Sequence, residues 1–315
     1  MAQTQQIVTI LGGTGFVGRY VVQHLARAGY RIRVVARNPD AALPLKTAGD
    51  PGQVSLVAGN INRPETLAKA VAGAFAVINL VGVLFEKKGQ DFTNIQAKAP
   101  ENIAKMAKFA GVERFIQMSA LGVDHAFGSE YARTKLLGEK SVAAAFPGAT
   151  ILRPSVIFGA GDNFFNKFAG MPLLPVIGGG KTRFQPVYAD DVARAVVACL
   201  AQPASKGAIY ELGGNKAYSF SALLDFVQKT LRTKKPVVGI SFGVASVAAS
   251  VAEIAYKCIP FIRSPAITRD QVKLLKHDNV VSADAKTFAN LGITPQPLEI
   301  IVPKYLARFN PAKVV

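Results

Sequence analysis

Residues 7–18 read IVTILGGTGFVG: an apolar run, then glycines at 12, 15 and 18, then helix-forming sequence. Each part of the stretch has a physical job. An unbroken run of Ile, Val and Leu suits a strand buried on both faces of a parallel sheet. Gly12 permits a tight turn, Gly15 lets the backbone approach a pyrophosphate, and Gly18 lets the following helix pack close to the strand. A helix over 16–28 directs its free N–H groups at that pyrophosphate. Gly12, Gly13, Thr14, Gly15, Phe16, Val17 and Gly18 therefore form a candidate cofactor loop. A glycine-rich turn without a ligand is the competing reading.

Working outward, strand-like runs recur at 31–36, 54–58, 75–81, 114–118 and 149–152. Helical periodicity falls between them at 93–110 and 131–145. This alternation predicts an α/β fold with a doubly wound parallel sheet of the Rossmann type. The expected organisation is a dinucleotide-binding domain over 1–158, with segments near 187–213 returning to it. A smaller C-terminal lobe over 159–315 follows. Helices are expected at 192–201 and 223–231, and another strand at 209–213. Residues 236–252 carry no charge. They are too short and too rich in Gly and Ser for a membrane span of about twenty apolar residues. A buried helix, a partner-docking helix and a segment lying in a membrane interface remain open.

Composition sets outer bounds. The chain has 315 residues, half of them hydrophobic, enough for a large core, and a net charge of +17 spread over both halves. That excess implies an acidic partner, whether a phosphorylated ligand, an anionic membrane, an acidic protein or a nucleic acid, unless the chain is simply a basic enzyme. Cys199 and Cys258 lie in apolar contexts, read as buried thiols of a reducing compartment, and no metal-ligand spacing is present. The first strand begins so early that no signal or transit peptide is expected before it.

Arg37 follows the second strand, where an acidic side chain would select NAD. A guanidinium there attracts a 2′-phosphate and points to NADP(H). Arg19 adds positive charge at the start of the first helix, and Asn60, after the third strand, is placed to meet the adenine edge. Tyr131 and Lys135 are four apart and share a helix face. An ammonium beside a phenol lowers the phenol's pKa. The tyrosine would exchange a proton with a carbonyl or hydroxyl while a hydride moves on the cofactor. Ser119, twelve residues upstream, would orient the substrate oxygen. Lys135 serving only as a cofactor contact, with Tyr131 unused, is the alternative. Backbone groups of Pro154, Ser155 and Val156 are placed to hold the nicotinamide carboxamide. Asp190 and Asp191 read as structural, one of them capping a helix.

Together, GGTGFVGRY, VVARNP, NLVG, SALG, YARTK, LRPSVIFG and VYADDVARAV resemble the atypical short-chain dehydrogenase/reductases, including NAD-dependent epimerases and dehydratases. The run from SEYARTK to FNKFAGM, with QPVYADDVARAV and ITRDQVKLL, resembles more narrowly the NADP(H)-binding accessory subunit of respiratory complex I, the alpha-subcomplex subunit 9 family. That resemblance implies tight NADPH binding, a structural role and a seat where the peripheral and membrane arms meet. It places Leu80, Val81 and Gly82 against the adenosine ribose and phosphates, and Lys135 on the nicotinamide ribose. Ser119 and Tyr131 match the catalytic pair of active relatives. Gly59-Asn60 departs from the usual Gly-Asp and weakens the adenine contact.

Three functions compete. The first is a complex I subunit bound to NADP(H), with an anionic lipid surface nearby, on the cytoplasmic face of a bacterial inner membrane or on the matrix side. The second is a free-standing, soluble cytoplasmic NADPH-dependent reductase or epimerase acting on a small molecule. The third, a nucleic-acid-binding protein, lacks any arginine–aromatic cluster to support it.

Overall fold

Seven parallel strands form the central sheet of the computed structural model, which describes residues 6–87, 89–259, 261 and 264–309. Six come from the first half: β1 (Ile7–Leu11), β2 (Arg31–Ala36), β3 (Val54–Ala58), β4 (Ala76–Asn79), β5 (Arg114–Met118) and β6 (Thr150–Pro154). The seventh, Ile209–Leu212, joins beside β6, so the order is Ile209–Leu212, β6, β5, β4, β1, β2, β3. β1 lies between β2 and β4, with Ile10 opposite both Val34 and Ile78. The chain thus reverses its direction of travel across the sheet at β1, and such a switch point opens a crevice at the strand C-termini.

Strand side chains alternate between faces. On one face Val8, Ile10, Ile32 and Val34 pack with Val21, Val22 and Leu25 of helix α1 (Phe16–Arg27). On the other, Leu11, Val35, Val77 and Phe115 meet Ala70 of α2 (Ala68–Val71), Ile103 and Ala107 of α3 (Ala99–Phe109) and Val142 of α4 (Glu130–Ala145). Two-sided burial explains why these strands read as continuous apolar runs.

The later helices are α5 (Phe165–Gly170), α6 (Ala189–Ala201), α7 (Phe220–Leu231), α8 (Phe242–Cys258), α9 (Arg269–Leu274) and α10 (Leu298–Leu306). α6 returns to pack on α1 through Val192 and Val196. α5 and α7 build a second core around Phe158, Phe165 and Phe220. α8 and α9 meet over a small cluster containing Ala245, Ala249 and Val272.

Several expectations shift. The strand expected at 75–81 runs over Ala76–Asn79; on either side Phe75 and Leu80 still donate to the Ile7 and Leu11 carbonyls, and the chain leaves the sheet after that. The helix expected at 93–110 opens with a π turn at Asn94–Lys98 before α3, whose Pro100 lacks a backbone donor. The uncharged stretch at 236–252 begins as the strand Val237–Ile240, paired parallel to Leu174–Ile177, and only then becomes α8. Neither Asp190 nor Asp191 caps α6, whose N-cap is Tyr188. Asp190 instead pairs with His24 at 2.7 Å, and buried Asp191 accepts from Arg194 and from the Gln296 backbone N–H. Cys199 is buried, but Cys258 is exposed because it ends α8 on its outer side.

One contact fixes how closely α4 approaches the π turn. A methyl group at Gly138 would overlap the Gln96 carbonyl oxygen and lie 3.0 Å from its carbon. Gly138→Ala is expected to cost about 2 kcal/mol or more of stability through backbone displacement, read as a lower denaturation midpoint at unchanged slope.

Candidate nucleotide site

The crevice is built from the turn after β1, the exit of β4 and the face of α4. Gly12 adopts φ +84°, and a Cβ there would sit 3.1 Å from the Leu80 carbonyl carbon. Gly18 packs so close that a Cβ would come 2.6 Å from Gly13 Cα and overlap the Gly12 carbonyl oxygen. Only glycine allows both approaches. At Gly15 an added Cβ would meet the Gly12 carbonyl oxygen at 3.2 Å and nothing else within 4 Å, so this side of the turn is open. α1 starts with Gly15 as its N-cap, no side-chain cap and no acidic residue in its first turn. The N–H groups of Phe16, Val17 and Gly18 thus face the opening without intrahelical partners, the arrangement that receives a phosphate. Arg19 folds back, its Nε donating to the Thr14 carbonyl at 3.3 Å, and braces the loop.

Arg37 stands exposed just beyond β2 and makes no ion pair among the described residues. Asn60 shapes its own turn: its backbone N–H donates to Thr66 Oγ1 at 2.9 Å, and its side-chain oxygen accepts from Asn62 N–H at 3.0 Å. At the sheet centre, Asn79 donates to Gln117 at 2.9 Å and accepts from the Val81 N–H, which bends Leu80, Val81 and Gly82 out of the strand.

Lys135 is buried, and its Nζ donates to the Met118 carbonyl at 3.1 Å. Gly82 leaves it room, since a Cβ there would lie 3.1 Å from Nζ. Burial lowers Lys135 to about 8 against the opposing pull of Glu139. Tyr131 stacks edge-on against Phe92, and burial, reinforced by the Asp270 carboxylate, pushes its phenol up to about 12. The expected lowering by Lys135 is therefore overturned: desolvation dominates, and Tyr131 is a neutral phenol at physiological pH. The Ser119 hydroxyl is buried without a hydrogen-bond partner. Such an orphaned group calls for a ligand.

Three structural residues here were assigned no role from sequence. Arg153 on β6 grips Glu139 of α4 through Nη2 and Nε at 2.7 and 3.0 Å, and reaches Asp124 at 2.6 Å. Asp270 of α9 accepts from Ser129 Oγ, Glu130 N–H and Tyr131 N–H at 2.7, 2.7 and 3.1 Å, tying the second lobe to the start of α4. Asn279 accepts from Ser155 Oγ at 2.6 Å and donates to the Leu121 carbonyl at 2.7 Å. Arg153 lay within LRPS and Asp270 within TRDQ, but neither motif says what its charge faces. The Ser155 N–H is also spent, on the Leu212 carbonyl between strands, while the Val156 and Pro154 carbonyls accept from Val187 and Leu121. A hollow of about 560 Å³ on the helix side of the turn is lined by Phe16, Arg19, Tyr20, Gln23, Ala160 and Gly161; none of Ser119, Tyr131 or Lys135 borders it.

An open glycine turn, a helix start with free N–H groups, a buried lysine and an orphaned hydroxyl suit a pyridine nucleotide lying along the crevice. The chain belongs to the NAD dependent epimerase/dehydratase family, whose model matches residues 8–213, and has the family's NAD(P)-binding Rossmann fold. Its near-full-length relatives are more particular. It is 34% identical over 313 residues to NADH dehydrogenase (ubiquinone) 1 alpha subcomplex subunit 9 of Arabidopsis thaliana mitochondria, covering 96% of this chain and 78% of that protein. The mouse (Mus musculus) protein of the same name is 33% identical over 311 residues, covering 93% and 78%. The fold also matches the Citrobacter triphenylmethane reductase complexed with NADP(H), at TM-score 0.71 and 20% identity, over 95% and 99% of the two chains.

The buried lysine has a titration consequence. Its folded pKa, about 8, lies below the unfolded 10.5. The unfolded chain therefore holds the proton more tightly, and stability rises as pH climbs from about 8 towards 10.5. Relative to Lys135→Met, the wild type is expected to gain up to about 3 kcal/mol across that window, measured by denaturant unfolding at a series of pH values.

Proposed function

We propose that this chain is an NADP(H)-binding accessory subunit of respiratory complex I, holding its nucleotide for structure or for sensing rather than for turnover. The near-full-length likeness to alpha-subcomplex subunit 9 carries the assignment. Arg37 supports the choice of phosphorylated nucleotide, because an exposed guanidinium without an ion-pair partner after β2 is free to take a 2′-phosphate. Gly12, Gly13, Thr14, Gly15, Phe16, Val17 and Gly18 hold the pyrophosphate, with Arg19 stiffening that turn. Leu80, Val81 and Gly82 lie along the adenosine ribose and phosphates, and Asn60 meets the adenine. Lys135 bonds the nicotinamide ribose, and the segment Pro154, Ser155 and Val156 borders the nicotinamide. The partners are other subunits of that complex. The chain is peripheral, on the cytoplasmic face of a bacterial inner membrane or on the matrix side; no helix among the described residues is long and apolar enough to cross a membrane.

The orphaned Ser119 hydroxyl favours a second reading, a soluble NADPH-dependent reductase or epimerase acting on a small molecule. The bound nucleotide would supply the hydride donor or acceptor. Ser119 would hold a substrate oxygen, and the neutral Tyr131 phenol would deliver a proton to it.

Two experiments test these assignments. Arg37→Glu is expected to weaken NADPH binding by about tenfold to a hundredfold while NADH binding changes little, read by titrating nucleotide fluorescence; equal losses for both nucleotides would refute the 2′-phosphate role. In gently solubilised membranes the chain is expected to co-migrate with NADH dehydrogenase activity, and Tyr131→Phe to leave that co-migration intact. A small soluble species that consumes NADPH with a carbonyl substrate, and loses this activity in Tyr131→Phe, would instead establish the enzyme.

A further inference from the structure

α8 shows two unlike faces. Ala245 and Ala249 are buried against the lobe, and Tyr256 packs edge-on against Phe85 of the segment after β4. The opposite side carries Val244, Val247, Val251 and Ile254, each more than 60% exposed. Their spacing of three and four places them along one stripe of the helix. Nothing polar interrupts it: Ser246 and Ser250 turn their hydroxyls to the carbonyls of Phe242 and Ser246, at 2.9 and 3.0 Å. Phe261, three residues past the helix, is 93% exposed. Scattered exposed apolar residues are ordinary, but a continuous stripe marks a docking surface.

Charge decides what docks there. Between Arg232 and Lys276 the sequence has eight cations and two carboxylates. Both carboxylates are engaged within the chain: Glu253 accepts from the Arg269 N–H at 2.8 Å, and Asp270 is spent on the start of α4. Lys257 lies on α8 itself and Lys276 sits over the Phe242 ring at its start; both are exposed, as are Lys234 and Lys273 nearby in sequence. A second copy of this chain would bring like charge against like. An apolar stripe bordered by lysines and followed by an exposed aromatic ring matches a helix lying in the headgroup region of an anionic bilayer. At 17 residues, α8 is about 26 Å long and lies along such a surface rather than across it.

We infer that the Val244–Val247–Val251–Ile254 face of α8 seats this chain directly on an anionic lipid surface, with its bordering lysines on the headgroups. The inference rests on the peripheral location given above and names the surface that provides it.

Flotation of the purified chain with phosphatidylglycerol–phosphatidylcholine vesicles tests it, with phosphatidylcholine vesicles alongside. Binding is expected on the anionic vesicles, weakened by salt because the lysine contribution is screened. A double variant Val247→Glu with Val251→Glu is expected to lose about tenfold or more in binding. Should that variant fold poorly, Lys257→Glu with Lys273→Glu, which leaves the apolar stripe intact, is expected to bind several-fold less tightly. Nucleotide fluorescence shows in each variant that the crevice survives. Equal binding to both vesicle types, no binding to either, or concentration-dependent self-association abolished by the valine substitutions would each overturn the inference. Failure of the unmodified chain to bind anionic vesicles, with its NADPH retention and complex co-migration intact, would sink only this surface; failure of the latter two would sink the function instead.

Discussion

Where α4 lies is settled by a buried ion pair. Arg153 reaches from β6 to buried Glu139 with two nitrogens, in a nearly dry layer between helix and sheet, and to half-buried Asp124 with another. Removing one partner of such a pair strands a charge out of water, at several kcal/mol. The pair therefore serves as a register pin. It holds α4 at one height against the strands, and that height brings Lys135 to the Met118 carbonyl at the end of β5. Asp270 pins the other end of the same helix from the second lobe. Tyr131 and Lys135 are thus carried on a stretch of helix tied at its start and again at Glu139, which is how a site keeps its geometry before any ligand arrives.

The glycine turn and the pinned helix meet across the switch point and divide the work. The turn offers backbone donors and little steric bulk, suited to a diphosphate. The helix offers one buried cation and one neutral phenol. Keeping Lys135 in a poorly solvated place weakens its hold on the proton, although it is still mostly charged near neutral pH. A polar partner such as a ribose hydroxyl would restore the charge's favour.

Much of this was legible in the chain. β2, β3 and β5 lie where their sequences put them, although β3 is a half-exposed edge strand and β5 carries Arg and Gln within its buried run. The glycine turn was legible because each glycine answers a separate steric demand. What escaped was long-range. Cys258 looked buried from its neighbours, yet helical geometry turns it outward on a face with no partner. Asp190 and Asp191 had the local look of a cap, but His24 and Gln296, distant in sequence, compete for them and win. The phenol's shift went the other way because dehydration outweighs a neighbouring ammonium, and dehydration depends on packing from Phe92 and from the α9 region. Local sequence reports periodicity and turn chemistry; it does not report who waits across the fold.

Asn279 has a consequence for the making of this protein. Its side chain closes bonds to Ser155 and Leu121, well over a hundred residues earlier. A ribosome that has finished the parallel core but not yet released residue 279 leaves those earlier groups without their protein partners. The surroundings of Ser155 are therefore completed only once residue 279 has emerged, and a nascent chain halted before that asparagine would leave those groups open to the chaperones that meet it.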